Sequence, residues 1–297
     1  MDIRVLQYFL TVAREESITK AAEQLHMTQP PLSRQLKDLE KELGKQLLVR
    51  GSKRITLTED GMLLRKRAEE LVSLMEKTKD ELASSDENIN GEIHIGCGET
   101  EAVSFFAQAA QSLQKKYPLI HYHIYSGDAE RVMERLDKGL IDFGLLVGAT
   151  DISKYNSMQL PIKDRWGILM RNDSPLSEKE SVQAQDLWDK PLILSHQASI
   201  NAEMFSWLKK DISRLNIVAT YDLVYNAAQF AKKGFGYVIA LDQLINTADN
   251  SDLCFRPLFP IMEANLCIVW KKYQVLSRAS NVFLRQLQAE LDQRTYS

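Results

Sequence analysis

From Thr28 to Gly44 the chain spells one helix with marked ends, and this segment restricts the fold more than any other. Thr28 stands where a cap belongs, and Gly44 ends the run. Pro30 and Pro31 fall in the first turn, where backbone N–H groups have no intrahelical acceptor to lose. Leu32, Leu36, Leu39 and Leu43 recur at helical spacing and define a buried face. The other face shows Gln29, Ser33 and Lys37 one turn apart, with Arg34 beside them. Each of these side chains can hydrogen-bond a base edge or a phosphate.

Such a helix needs a small packing behind it, and the preceding residues supply one. Leu6, Phe9, Leu10 and Ala13 form one helical stripe. Ser17 caps a second short helix whose inner face is Ile18, Ala21, Ala22 and Leu25. A polar helix edge projecting from three small helices fits the recognition helix of a helix-turn-helix. On pattern alone, a small bundle with a solvated face fits as well. The next segment favours the first reading. Leu47-Leu48-Val49-Arg50 and Arg54-Ile55-Thr56-Leu57 pair as a hairpin across Gly51-Ser52-Lys53. Its cations, Arg50, Lys53 and Arg54, make a wing suited to phosphates or the minor groove.

Thr58 then caps a long helix with Glu59 and Asp60 in its first turn. Leu64, Ala68, Leu71, Met75, Thr78 and Leu82 follow a heptad rhythm, a seam that demands a partner; self-pairing into a dimer is the simplest one, and folding back on its own domain is the alternative. A rod from Thr58 to about Ser84 spans ~40 Å at ~1.5 Å per residue. Residues 84–91 read as a linker.

The residues Phe9, Val12, Ser17, Thr19, Ala21, Ala22, Leu25, Thr28-Gln29-Pro30-Pro31-Leu32-Ser33, Gln35, Leu39-Glu40, Leu43-Gly44, Leu47, Arg50, Leu57-Thr58-Glu59 and Gly61 closely resemble, at fixed spacing, the LysR-type transcriptional regulators. The match is dense over the first 61 residues and looser beyond. One departure is Leu48, where the family usually has Phe; it is expected only to repack the wing. The resemblance implies an N-terminal all-α winged helix-turn-helix with a long linker helix. It also implies a C-terminal α/β effector domain of two lobes, like periplasmic solute-binding proteins. The expected division is 1–58 for DNA binding, 59–90 for the linker and dimerisation helix, and 91–297 for the effector domain. One lobe is placed at about 91–161 and 266–297, the other at about 162–265. Double-stranded promoter DNA, a small-molecule effector and further copies of the chain, as a dimer or tetramer, are the implied partners. RNA polymerase is a further one. Thr28, Gln29, Pro30, Ser33, Arg34, Lys37, Arg50, Lys53 and Arg54 are the expected DNA-binding residues.

Charge distribution agrees with three parts. Residues 1–66 carry a net +3, residues 67–90 a net −4 and residues 91–297 a net −2. No apolar run approaches the ~18 residues of a membrane span, and the first residues lack a secretory apolar segment. Cys97, Cys254 and Cys267 are too widely spaced for a disulfide scaffold or a CxxC zinc cluster. A reduced, cytoplasmic protein is expected.

After Gly91 strand-like and helix-like stretches alternate, the signature of a parallel α/β sheet. Crossovers between the lobes are expected near Pro161 and Asn265. In such sheets ligands meet the loops at the carboxyl ends of strands. Those loops hold Cys97, Gly98, Glu99, Thr100 and Glu101; Ser126, Gly127 and Asp128; Gly148 and Ala149; Ser195, His196 and Ser199; and Asn226. Thr100 matches the family's effector-contacting hydroxyl. Glu99 and Glu101 beside it oppose an anionic effector unless they face solvent.

Enzyme readings fare poorly. Gly96-Cys97-Gly98 lacks the third glycine of a dinucleotide loop. Ser195-His196 has no nucleophile-elbow context. His121 and His123 share a strand face, but no third metal ligand sits at a convincing spacing. Cys97 has no resolving partner for redox chemistry. No enzyme, cofactor or metal site is expected. The competing reading is a solute-binding module whose head contacts proteins.

Overall fold

The computed structural model describes residues 1–51, 54–83, 89–148, 151–196, 202–248 and 251–295, and the chain separates into two compact units, residues 1–83 and 84–297.

The first unit contains α1 (Ile3–Glu15), α2 (Ile18–Gln24), α3 (Gln29–Leu43), the hairpin β1 (Leu48–Arg50) and β2 (Ile55–Leu57), and the long α4 (Glu59–Ala83). Caps set several of these boundaries. Asp2 and Ser17 accept main-chain N–H bonds at the starts of α1 and α2. Thr58 Oγ1 accepts from Gly61 N at 2.9 Å and opens α4. Thr28 holds the cap position of α3 without a side-chain bond. The reason lies in the chain itself: a cap hydroxyl accepts from the second or third helical residue, and those residues are Pro30 and Pro31. Gly44 closes α3 at φ 63°, a left-handed conformation that suits glycine.

The head's core gathers Phe9, Val12, Ile18, Ala21, Ala22, Leu32, Leu36, Leu39, Leu47 and Leu48. Val12 is buried where the helical stripe was read through Leu10 and Ala13, which are half-buried. Leu43 is exposed, because α3 has run past the core by its last residue. Glu40 ties α3 to the wing: its Oε1 accepts from Leu47 N at 2.8 Å and Leu48 N at 3.1 Å. The heptad seam of α4 is not free along its length. Leu64 joins the head's core and Ala68 is fully buried, since α4 packs on α1. Further along, Leu71 and Leu74 are exposed, as is Leu63 near the start. The side chain of Leu82 lies outside the described ones.

The second unit contains β3 (Gly91–Cys97), α5 (Val103–Gln114), β4 (Ile120–Ser126), α6 (Ala129–Asp137), β5 (Phe143–Val147), β6 (Tyr155–Arg171), β7 (Val182–Gln183), β8 (Leu192–Ser195), α7 (Ala202–Leu208), β9 (Ile217–Tyr221), α8 (Val224–Lys232), β10 (Tyr237–Leu241), β11 (Leu253–Phe259), β12 (Glu263–Lys271) and α9 (Arg278–Thr295). The main strand order is β4-β3-β5-β12-β6-β10-β8-β9, with β11 pairing β6. Pairing is parallel within β4-β3-β5 and within β10-β8-β9. It is antiparallel wherever β6 or β12 takes part, so the sheet is mixed, not purely parallel. These two long strands join two α/β lobes. β6 pairs β12 up to Arg165 and β10 from Trp166 onward. Pro161 falls in a register break between Gln159 and Lys163, because it has no N–H for the ladder; the handover comes a few residues later.

α9 returns to the first lobe and packs on α5 and β3. Phe283 is its anchor, in ring contact with Phe106, Tyr122 and Phe143 at 5.5–5.9 Å between centroids. Burying one such side chain is worth about 1.5–3 kcal/mol.

Candidate nucleic-acid interface and ligand cleft

On the head, the α3 N-terminus presents Thr28, Gln29 and Pro30 to solvent, followed by exposed Arg34 and Lys37 and half-buried Ser33. The exposed Thr28 hydroxyl makes no side-chain cap bond to α3. Arg34 makes one loose contact, Nε to Asp38 Oδ2 at 3.9 Å, and is 85% exposed, so this pair holds it weakly. On the wing, Arg54 is partnered by Glu16 at 3.4 Å, while Ile55 N donates to Glu16 O and fixes the wing to the end of α1. Arg50 contributes its main chain to β1; its side chain, like all of Lys53, lies outside the described residues.

The second unit carries a cavity of about 280 Å³ between its lobes. Its walls come from the carboxyl ends of β3, β4, β8, β9 and β10, where the strand rule places a ligand. Of the expected residues, Gly98, Glu99, Ser126, Gly127, Asp128, Ser195 and His196 line it. Others do not. Cys97 points into the core at 3% exposure, and burial pushes its thiol pKa up. Thr100 is turned inward: it is buried, and its Oγ1 accepts from Ala102 N at 3.0 Å. Glu101 is exposed, Gly148 spends its N–H on Asn265 O, and Asn226 sits on the outer side of α8. Ala149 and Ser199 lie outside the described residues.

The strand reading missed Arg131, Trp166, Tyr221, Asp222, Val224 and Leu241 as lining residues. A usable signal existed for some. Tyr221 and Leu241 are the last residues of β9 and β10, and Arg131 follows the Asp128 cap by one turn.

Contacts between described residues cross the cleft. Glu99 Oε2 accepts from Val224 N, the first residue of α8, at 2.6 Å. Arg131 Nη1 donates to Asp222 Oδ2 at 3.3 Å, and Asp128 lies at 3.8 Å from the same guanidinium. A helix N-terminus is a ready anion site, and here the protein's own carboxylate fills it. Burial raises the Glu99 pKa, with the Val224 N–H pulling the other way.

A winged helix-turn-helix head joined to a two-lobed body with a ligand-sized cleft defines a class: DNA-binding regulators that carry a small-molecule receptor. Residues 3–62 match the family described as bacterial regulatory helix-turn-helix protein, lysR family, and residues 86–292 match the LysR substrate binding domain. The chain belongs to the LysR family of transcriptional regulators. It is 30% identical over 220 residues to the HTH-type transcriptional regulator BsdA of Bacillus subtilis, covering 73% of this chain and 74% of that protein. It is 32% identical over 197 residues to CysL of the same organism, covering 66% and 65%. Among solved structures, full-length CbnR in complex with its target DNA shares the fold at a TM-score of 0.74 and 18% identity, covering 98% of this chain and 100% of that one. Among the described residues, no helix is long and apolar enough to cross a membrane.

Proposed function

We propose that this regulator acts in the cytoplasm as a homo-oligomer on promoter DNA and answers to a neutral or cationic small molecule. The α3 edge enters the major groove: Gln29, Ser33 and Arg34 read bases, Lys37 meets phosphate or base, and Thr28 and Pro30 shape the approach. Arg50, Lys53 and Arg54 hold the backbone or the minor groove. The observation that supports this is the α3 N-terminus, where the Thr28 hydroxyl makes no cap bond and Gln29, Arg34 and Lys37 are exposed. Exposed Leu63, Leu71 and Leu74 on α4 supply the self-association surface.

The effector class follows from the cleft. Among the described residues its lining carries the carboxylates of Glu99, Asp128 and Asp222 against the guanidinium of Arg131, which two of them already engage, and the imidazole of His196. Residues 149–150 and 197–201 add no ionisable side chain. Trp166, Tyr221 and Leu244 offer apolar surface for the effector's body. An effector shifts the lobes only by its differential affinity for two arrangements.

Gel shifts over a salt series test the head. Arg34→Ala should relax or abolish operator preference. Lys53→Ala should weaken all duplexes alike and reduce the salt slope by about 1. A Lys53→Ala protein with altered sequence preference and an unchanged slope contradicts the assignment.

A further inference from the structure

His123 does not work with its strand neighbour His121; it meets His94 across the sheet. Parallel pairing of β3 and β4 sets His94 opposite His123 and Glu92 opposite His121, so the four side chains share one face. The His94 and His123 rings stack with centroids 4.6 Å apart and planes at 14°. Nε2 of each ring lies 3.4 Å from the same atom, Oε2 of Glu92. All three ligand atoms fall within 4.8 Å of one another.

We propose that Glu92, His94 and His123 form a binding site for one divalent transition-metal ion, zinc foremost, on the sheet of the first lobe. A tetrahedral zinc with bonds of ~2.0–2.1 Å separates adjacent ligand atoms by ~3.3–3.4 Å. The two His–Glu separations already have that value. Two imidazoles and one carboxylate form a borderline donor set that selects zinc-like ions over calcium or magnesium. Glu92 and His123 are 37% and 52% exposed, which opens that side of the site to solvent, while His94 is 19% exposed.

The surroundings hold the ligands in place. His94 N donates to Asp142 Oδ2 at 2.8 Å, and Asp142 N returns a bond to His94 O at 2.7 Å. Asp142 is 1% exposed, so His94 is anchored by a buried neighbour. On the same side of the sheet, the Arg135 guanidinium of α6 is stacked 4.2 Å from the centre of the Tyr125 ring. The three cysteines, the strongest competitors for zinc, are all buried. The ligands sit toward the start of β3, and the cleft residues Gly98 and Glu99 follow its end.

Calorimetric titration of zinc into the metal-stripped full chain, paralleled by the visible absorption of cobalt(II), tests the site without reference to DNA. One ion should bind per chain. Glu92→Gln and His123→Ala should each weaken binding by at least roughly 10- to 100-fold, the loss typical of removing even a supporting residue. Both positions are solvent-accessible, and circular dichroism confirms folding. His26→Asn, on the other compact unit, should bind as the parent does. The proposal is overturned if the parent binds no zinc, or if either Glu92→Gln or His123→Ala keeps the parent's affinity.

Discussion

Glu99→Ala vacates the N-terminus of α8. In the parent, the Glu99 carboxylate holds the Val224 N–H at 2.6 Å from across the cleft. An incoming carboxylate has to displace it and then lie beside Asp128 and Asp222. A hydrogen bond to a charged group is worth about 1.5–3 kcal/mol. At ~1.4 kcal/mol per tenfold in affinity, removing the internal competitor should strengthen binding of a simple aromatic carboxylate by roughly 10- to 100-fold. Benzoate is a suitable probe, because the cleft also offers Trp166 and Leu244 to its ring. Calorimetric titration of benzoate into both proteins reads the effect. Glu99→Gln should fall between them, since its amide oxygen keeps the acceptor but loses the charge. Equal affinity of benzoate for parent and Glu99→Ala would refute the idea that Glu99 occupies an anion site.

Three further outcomes test the architecture. Gly61→Ala places a Cβ 2.2 Å from the Leu47 carbonyl oxygen, which already accepts from Thr58 N; such overpacking should cost about 1–3 kcal/mol, lowering the head's transition in scanning calorimetry while the body's transition stays put. Leu39→Ala removes a side chain that is 2% exposed and should cost the head about 2–5 kcal/mol in urea unfolding. Asp164 has its pKa raised by burial, with repulsion from Glu101 and Asp242 adding to it and the Thr100 hydroxyl opposing it. The folded chain therefore holds that proton more tightly than the unfolded one, and this group's contribution to stability, full at low pH, is lost as pH rises through the raised pKa. Its Oδ2 has no hydrogen-bond partner among the described residues, so Asp164→Asn should stabilise the body by about 1 kcal/mol at neutral pH. The gain should vanish below about pH 4, where both states carry the proton; a gain that grew on acidification would reverse the sign of the argument.

The head was open to reading from the chain because its determinants are local. Ser17, Thr58 and Gly44 act within a few residues of themselves, and the leucines of α3 announce their buried face by spacing alone. Even the bare Thr28 cap was written there, in the two prolines that follow it. β11 is hidden in the chain because Arg256 and Pro257 interrupt its apolar alternation. In the body, strand ends pointed to the right loops, but not to which side chains turn into the cleft. Thr100 and Cys97 occupy plausible loop positions and face inward, while Arg131 and Asp222 reach each other across 91 residues of chain.

Sequence by itself determined the helix-turn-helix, the wing, the long helix and the alternating α/β body, since periodicity, caps and breakers act at short range. Tertiary structure alone decided the partners: Glu99 with the start of α8, Arg131 with Asp222, and His94 with His123. Such pairings depend on strand order and register, which bring distant residues to within hydrogen-bonding distance and leave no mark in local spacing.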